Sequence, residues 1–176
     1  GSVTINGTIA TYTPTSNFNG DDSFSFTVND GELTDTAEVS LTITAINDSP
    51  ELVFNSQELL FNEDESGTIP FSATDIDEDD LVLSITSGID IIPSLSNDNV
   101  TFTASENFYG SEIFIVSVSD GELIVTQTIS VTVASINDAP VATIGISPVT
   151  DEDEAIVITI TGIDVDGDPL NFILET

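Results

Sequence analysis

Ile46-Asn47-Asp48-Ser49-Pro50 returns as Ile136-Asn137-Asp138-Ala139-Pro140, 90 positions on (136 − 46). The acids behind each copy return too. Glu63-Asp64-Glu65 becomes Glu152-Asp153-Glu154, and Asp75-Ile76-Asp77 becomes Asp164-Val165-Asp166. Ahead of each copy, Asn17-Phe18-Asn19-Gly20 matches Asn107-Phe108-Tyr109-Gly110, and Asp30-Gly31-Glu32-Leu33 matches Asp120-Gly121-Glu122-Leu123. The offset falls to 89 at Asp164 (164 − 75), so one residue is lost between Pro140 and Asp151. A fixed period of this length means an array of supersecondary or domain units.

The sequence has 32 Asp and Glu, no Lys, no Arg and no His. No carboxylate can meet a basic side chain. Two carboxylates about 4 Å apart repel by roughly 4 kcal/mol at an effective dielectric near 20. Clustered acids must therefore take up protons, spread into water or hold metal. Such charge often marks disorder, but here 39% of residues are hydrophobic and recur with a period. Nothing can neutralise phosphate, which excludes nucleic acid and anionic membranes as electrostatic partners. The absence of Cys rules out disulfides and thiolate metal sites and leaves the redox compartment open. No stretch reads as a membrane-inserted span or a signal peptide. The acidity suits a salty, calcium-rich exterior.

The apolar residues alternate. Val3, Ile5 and Ile9 lead into Tyr12-Thr13-Pro14. Phe24, Phe26 and Val28 alternate with Ser23, Ser25 and Thr27, and Ala37, Val39, Leu41 and Ile43 follow the Asp30-Gly31 turn. A two-residue period is that of a half-buried strand, and Asp-Gly is a hairpin signal. The next copy opens with two short candidates, at 52–54 and 59–61, and a turn at 63–67. Ile69, Phe71 and Ala73 then form a strand that stops at Asp75, and Leu81, Leu83 and Ile85 form another. Segments 89–92, 100–104, 113–119 and 125–134 complete the set. About seven short strands in about 90 residues predict a small antiparallel sandwich with no helix. The divisions expected are the back half of a repeat at 1–48, a complete repeat at 49–138 and the front half of another at 139–176. Neither half closes a sandwich alone. Phe24, Phe26 and Val28, and likewise Ile156, Ile158 and Ile160, are expected to face water unless neighbours cover them.

In order, Tyr-Thr-Pro, Asn-Phe-x-Gly, Asp-Gly-Glu, Ile-Asn-Asp-x-Pro, Glu-Asp-Glu and Asp-x-Asp resemble the bacterial cadherin-like tandem repeats of large surface adhesins and secreted multidomain proteins. The resemblance covers essentially the whole chain. It implies an all-β fold of seven-stranded, Ig-like Greek-key sandwiches in a linear array, with Ca2+ at the joints.

The acids themselves admit two readings: metal ligands, or solvated turn residues of an acidic surface. Calcium takes six to eight oxygens at about 2.3–2.6 Å. Asp75 and Asp77 can project to one side of an extended segment, as can Asp164 and Asp166. The resemblance implies ligands at the first joint from Asp22, Asn47, Asp48, Glu63, Glu65, Asp75 and Asp77. At the second it implies Glu112, Asn137, Asp138, Glu152, Glu154, Asp164 and Asp166. Animal cadherins have a longer linker and a Leu-Asp-Arg-Glu motif, reduced here to Asp21-Asp22 and Ser111-Glu112, so one or two ions per joint are expected. Asp30 and Asp120 read as turn residues, and Phe18, Phe108, Tyr109 and Tyr12 as core.

With no His, Cys or Lys, general-base, thiol and Schiff-base chemistry lack their usual residues, and the chain does not read as an enzyme. Paired acids can hydrolyse glycosides, but here they recur with the domain period, which suits architecture. The function expected is a non-catalytic spacer in an extracellular or cell-surface adhesin or fibre, rigidified by calcium. Its partners are neighbouring repeats joined head to tail, covalently or by strand addition, with glycans or other cell-surface proteins as further candidates. The rival is a calcium-dependent carbohydrate-binding module, which the absence of Trp disfavours.

Overall fold

The computed structural model describes residues 1–143 and 148–175. Fourteen strands occur among them. They are β1 (Ser2–Asn6), β2 (Ile9–Thr13), β3 (Gly20–Asn29), β4 (Thr34–Ile43), β5 (Glu51–Phe54), β6 (Glu58–Asn62) and β7 (Ser66–Thr74). Then come β8 (Val82–Ile85), β9 (Ile91–Leu95), β10 (Asn99–Ala104), β11 (Gly110–Ser119), β12 (Ile124–Ala134), β13 (Val141–Thr143) and β14 (Thr161–Ile163). No helix occurs among the described residues, and none therefore is long and apolar enough to cross a membrane.

Strands β5 to β12 form a β-sandwich of two four-stranded sheets, ordered β5-β7-β10-β9 and β6-β12-β11-β8. Alternation decides what each strand buries. In β7 Ile69 and Phe71 are buried while Thr68, Pro70 and Ser72 are exposed. Phe114, Val116 and Val118 of β11, and Ile129, Val131 and Val133 of β12, follow the same rule. Three two-stranded sheets complete the chain: β1-β2, β3-β4 and β13-β14. All three are antiparallel; β3 and β4 pair from Gly20 opposite Ile43 to Asn29 opposite Thr34.

The chain divides into two compact units. The first comprises Gly1–Val53, Phe71–Ser84 and Val116–Gln127. It holds the hairpins β1-β2 and β3-β4. The second comprises Phe54–Pro70, Ile85–Ile115 and Thr128–Thr176. In it β10 pairs antiparallel with β7 and β9, and the Phe102 and Phe114 rings meet at 4.9 Å with a 54° tilt. That contact joins one sheet of the sandwich to the other.

Three expectations need correction. The central copy has eight strands among the described residues, not seven, and they are not all antiparallel. Its leading strand breaks at Asn55–Gln57: β5 stays in one sheet, while β6 joins the other and runs parallel to β12, with Glu58 opposite Ser130. The amides of Ser130 and Glu63 extend that ladder to Gln57 O and Ala134 O, at 2.8 and 2.9 Å. The turn expected over 63–67 ends at Glu65, because Ser66 and Gly67 already belong to β7. Phe18 and Tyr109 are 39% and 63% exposed rather than core.

The repeat is visible in the backbone. Asn17 and Asn107 have φ of 58° and 57°, Asp64 and Asp153 62° and 66°, Glu78 and Gly167 64° and 79°. Left-handed φ is uncommon outside glycine and concentrates in tight turns, so the same turns are built twice. The packing is not copied so closely. A Cβ at Gly67 would stand 2.7 Å from a Phe61 ring carbon and 2.8 Å from a Leu59 methyl. The period puts Ile156 at the place of Gly67, with Thr150 and Pro148 at those of Phe61 and Leu59.

Candidate metal centres

Where β7 ends at Thr74, the chain folds over itself. Asp75 Oδ1 accepts the amides of Asp77 at 2.8 Å and Asp79 at 3.5 Å, and the left-handed Glu78 closes the turn. Oxygens of Asp75, Asp77 and Asp79 thereby lie within 4.8 Å of one another. Asp77 Oδ2 accepts the Asp48 amide at 2.7 Å. Asn47 Nδ2 donates to Asp48 O at 3.2 Å and to Asp120 Oδ2 at 3.0 Å. The linker pair Asn47-Asp48 is thus tied to the Asp-x-Asp turn that follows it. Asp75 Oδ2 is buried with no hydrogen-bond partner. Partial desolvation, then repulsion from Asp75, Asp77, Asp120 and Asp80, raises the Asp79 carboxyl above its ordinary value.

The second group is Glu63, Asp138 and Asp166, again within 4.8 Å. Asp166 Oδ2 accepts the Asp138 amide at 2.7 Å, and Asp164 Oδ1 accepts the amides of Asp166 and Asp168, both at 3.1 Å. Asn137 Nδ2 donates to Asp138 O at 3.0 Å. Glu63 is only 3% exposed, and its Oε1 accepts the Ile136 amide at 2.5 Å. Asp138 Oδ2 is buried without a partner. Desolvation, then Asp166, Asp64, Glu63 and Asp164, raises the Asp138 carboxyl.

The two groups sort the expected residues. Glu63 was expected at the joint that precedes its own repeat, but it stands with Asp138 and Asp166 at the joint that follows. The parallel β6–β12 pair is the reason, since it brings the end of β6 beside the exit of β12. Asp48, Asp77, Asp138 and Asp166 are brought together as described. Asp164 orders the second turn through backbone amides, and Asn47 and Asn137 hold the linker. Asp22 and Glu112 join neither group among the described residues. Asp22 accepts the Tyr12 hydroxyl and the Ser23 amide, which hold its carboxyl below the ordinary value. Glu112 accepts three amides, from Ile89 at 3.0 Å, Asp90 at 2.7 Å and Ile91 at 3.3 Å. Glu65, Glu152 and Glu154 are exposed and outside both groups. Asp79 completes the first group beyond the expected ligand set; the left-handed turn at Glu78 that carries it there has no signature in the sequence. Asp30 and Asp120 each accept two amides of their own turn, as expected.

The residues fit a hard cation. Every available donor is oxygen, no basic side chain offsets the charge, and each centre has one buried carboxylate oxygen that no hydrogen bond satisfies. A buried acceptor left in that state costs about 1–3 kcal/mol or more, and a coordinated cation would remove the cost. Calcium accepts such flexible carboxylate and carbonyl sets; magnesium demands near-ideal octahedra.

The family described as bacterial Ig domain matches residues 1–42 and 47–132. The chain belongs to that family. No curated protein matches this bacterial Ig chain. Among solved structures it is similar to the surface layer protein SbsC, domains 1-6, at 16% identity and TM-score 0.45, covering 73% of this chain and 18% of that one. It is similar to human protocadherin-24 EC1-2 at 21% identity and TM-score 0.44, covering 68% and 62%. An endo-fucoidan hydrolase of glycoside hydrolase family 107 matches at 22% identity and TM-score 0.37, covering 77% of this chain. The chain spans 22% of the length of the fucoidan hydrolases it matches. Bacterial Ig domains are typically non-catalytic. The cadherin-like resemblance thus resolves to an Ig-like repeat.

Proposed function

We propose that this chain is a non-catalytic structural segment of a tandem array on an extracellular or cell-surface protein, an adhesin or fibre, stiffened by calcium where repeats meet. The divisions are 1–48, 49–138 and 139–176. One observation carries the reading. Each Asn-Asp linker pair hangs by a backbone amide on the second carboxylate of the next Asp-x-Asp turn, at 2.7 Å in both copies, and each centre holds an orphaned buried oxygen. A cation there would bridge linker and turn and limit hinge motion. It would also offset the carboxylate repulsion. The test is calorimetric titration with calcium, paired with small-angle scattering in calcium and in chelator. Saturable binding with a stiffer profile supports the reading; no binding at low salt ends it. A glycan array read with and without chelator tests the carbohydrate-binding alternative.

A further inference from the structure

Asp is followed by Gly at Asp30-Gly31, Asp120-Gly121 and Asp166-Gly167. In such a pair the backbone nitrogen of Gly can attack the Asp side-chain carboxyl, because Gly has no Cβ to block the approach and its backbone turns freely. A C–N bond forms and a C–O bond of the carboxyl breaks. Water leaves, made from the carboxyl hydroxyl and the amide proton. The five-membered imide then takes up water at either of its two carbonyls. One opening restores Asp; the other gives isoaspartate, in which the main chain runs through the side-chain carbon.

The three pairs differ in how the reacting groups are held. Asp30 Oδ1 accepts the amides of Glu32 and Leu33 at 2.9 and 2.8 Å, and the Gly31 amide donates to Asn29 Oδ1 at 2.5 Å. Asp120 Oδ1 accepts the amides of Glu122 and Leu123 at 2.7 and 2.6 Å, and the Gly121 amide donates to Ser119 Oγ at 3.1 Å. Those locks lie within a hairpin turn and last as long as the hairpin does. Asp166 is exposed, and its carboxylate accepts the Asp138 amide at 2.7 Å, across 28 positions of sequence. The Gly167 amide donates to Asp164 O at 3.3 Å. The lock on Asp166 is therefore the joint itself. The first joint differs at this point. Asp77 accepts the Asp48 amide at 2.7 Å but is followed by Glu78, whose φ of 64° matches the 79° of Gly167. There a side chain obstructs the attacking nitrogen.

We propose that Asp166-Gly167 is a self-modification site: when the second joint opens, Asp166 isomerises to isoaspartate. The product has a longer main chain and a shorter carboxylate arm. It can no longer meet the Asp138 amide and also stand with Glu63 and Asp138. An opened joint is thereby kept open, while the first joint, with Glu78, is spared. The part played by calcium rests on the function proposed above: a bound ion holds Asp166 against the linker and slows the attack.

The experiment keeps the whole chain at neutral pH and raised temperature, in calcium and in chelator. Samples are mapped over time by mass spectrometry after digestion with an Asp-specific protease, which does not cut at isoaspartate. In chelator, isoaspartate should build up at Asp166 several-fold faster than at Asp30 or Asp120. In calcium it should build up several-fold more slowly. Asn6-Gly7, in the turn between β1 and β2, loses ammonia by the same attack and serves as a reference whose rate should not depend on the buffer. Glu78→Gly should add isoaspartate at Asp77, and Gly167→Glu should remove it at Asp166. No isoaspartate at Asp166 in chelator, equal rates at Asp30, Asp120 and Asp166, or a Gly167→Glu chain that reacts as fast as the parent would overturn the proposal. Calorimetric titration of the same samples separates the two readings. A chain that binds no calcium ends the function proposed above, while the ranking of Asp166 against Asp30 and Asp120 in chelator still decides this one. A chain that binds calcium yet isomerises equally in both buffers overturns this one alone.

Discussion

The amide of Asp138 donates to Asp166 Oδ2 at 2.7 Å across 28 positions of sequence, and the amide of Asp48 donates to Asp77 Oδ2 at the same distance. Each bond holds a linker against the turn that follows it. Each also brings a carboxylate into a group of acids that no side-chain cation balances. The folded state therefore carries a repulsion that a divalent ion can remove.

Calcium should raise thermal stability. At free calcium 100 times the dissociation constant, each linked site adds about 2.7 kcal/mol. Scanning calorimetry should show a higher melting temperature in calcium than in chelator, with magnesium giving a smaller rise. Identical melting in all three would refute ion binding by the folded chain.

Single substitutions should separate ligands from bystanders. Asp77→Ala and Asp166→Ala should each weaken calcium binding tenfold or more, about 1.4 kcal/mol, while Asp35→Ala should leave it unchanged. Asp138→Asn should act in two directions. Without calcium it relieves repulsion and raises the melting temperature; with calcium it lowers affinity. Equal losses from Asp35 and Asp77 in calorimetric titration would mean that diffuse charge, not these centres, draws the ion.

The pH dependence should change sign with calcium. Asp79 and Asp138 have carboxyls raised above the ordinary 3.8, so the folded state holds their protons more readily than the unfolded state. In chelator, stability should therefore rise as pH falls from neutral towards about 4. Asp22, Asp30 and Asp120 are depressed, so their contribution is present above 3.8 and is lost as pH falls through their folded values. The calcium-free optimum should thus lie on the acid side. With calcium bound, stability should fall over the neutral-to-4 range, because protons compete with the ion. Melting curves against pH in both buffers check this; parallel curves would count against it.

Glu112 should matter for folding and not for the ion. Glu112→Ala leaves the amides of Ile89, Asp90 and Ile91 without their acceptor, at about 1–3 kcal/mol in urea unfolding. Calcium affinity should stay as in the parent chain. A lost site in titration would return Glu112 to the ligand set.

Strand content was legible wherever apolar and polar residues alternate. Phe24–Val28, Ile69–Ala73 and Ile113–Ser119 write their alternation openly, and the structure has strands there. The Asp-x-Asp turns were legible too, because Asp75 and Asp164 bond amides of their own turns. What escaped depends on sheet membership. Nothing local in Glu58–Asn62 says that it leaves the sheet of β5 for a parallel place beside β12. Glu63 was consequently expected with Asp75 and Asp77, whereas it lies with Asp138 and Asp166. Tyr109 follows Phe108 in a turn, and a turn has no period to say which aromatic points inward.

Gly67 gives way to Ile156 where Phe61 and Leu59 give way to Thr150 and Pro148. The place where Phe61 and Leu59 pack over a bare Gly67 is thus written with different residues in the next copy. If β7 of one copy were exchanged for its counterpart during folding, the Ile156 side chain would enter the space occupied by the Phe61 ring, since even a bare Cβ there stands 2.7 Å away. Misassembly between similar neighbours is a characteristic failure of repeat proteins. Divergence at this one place would disfavour such an exchange.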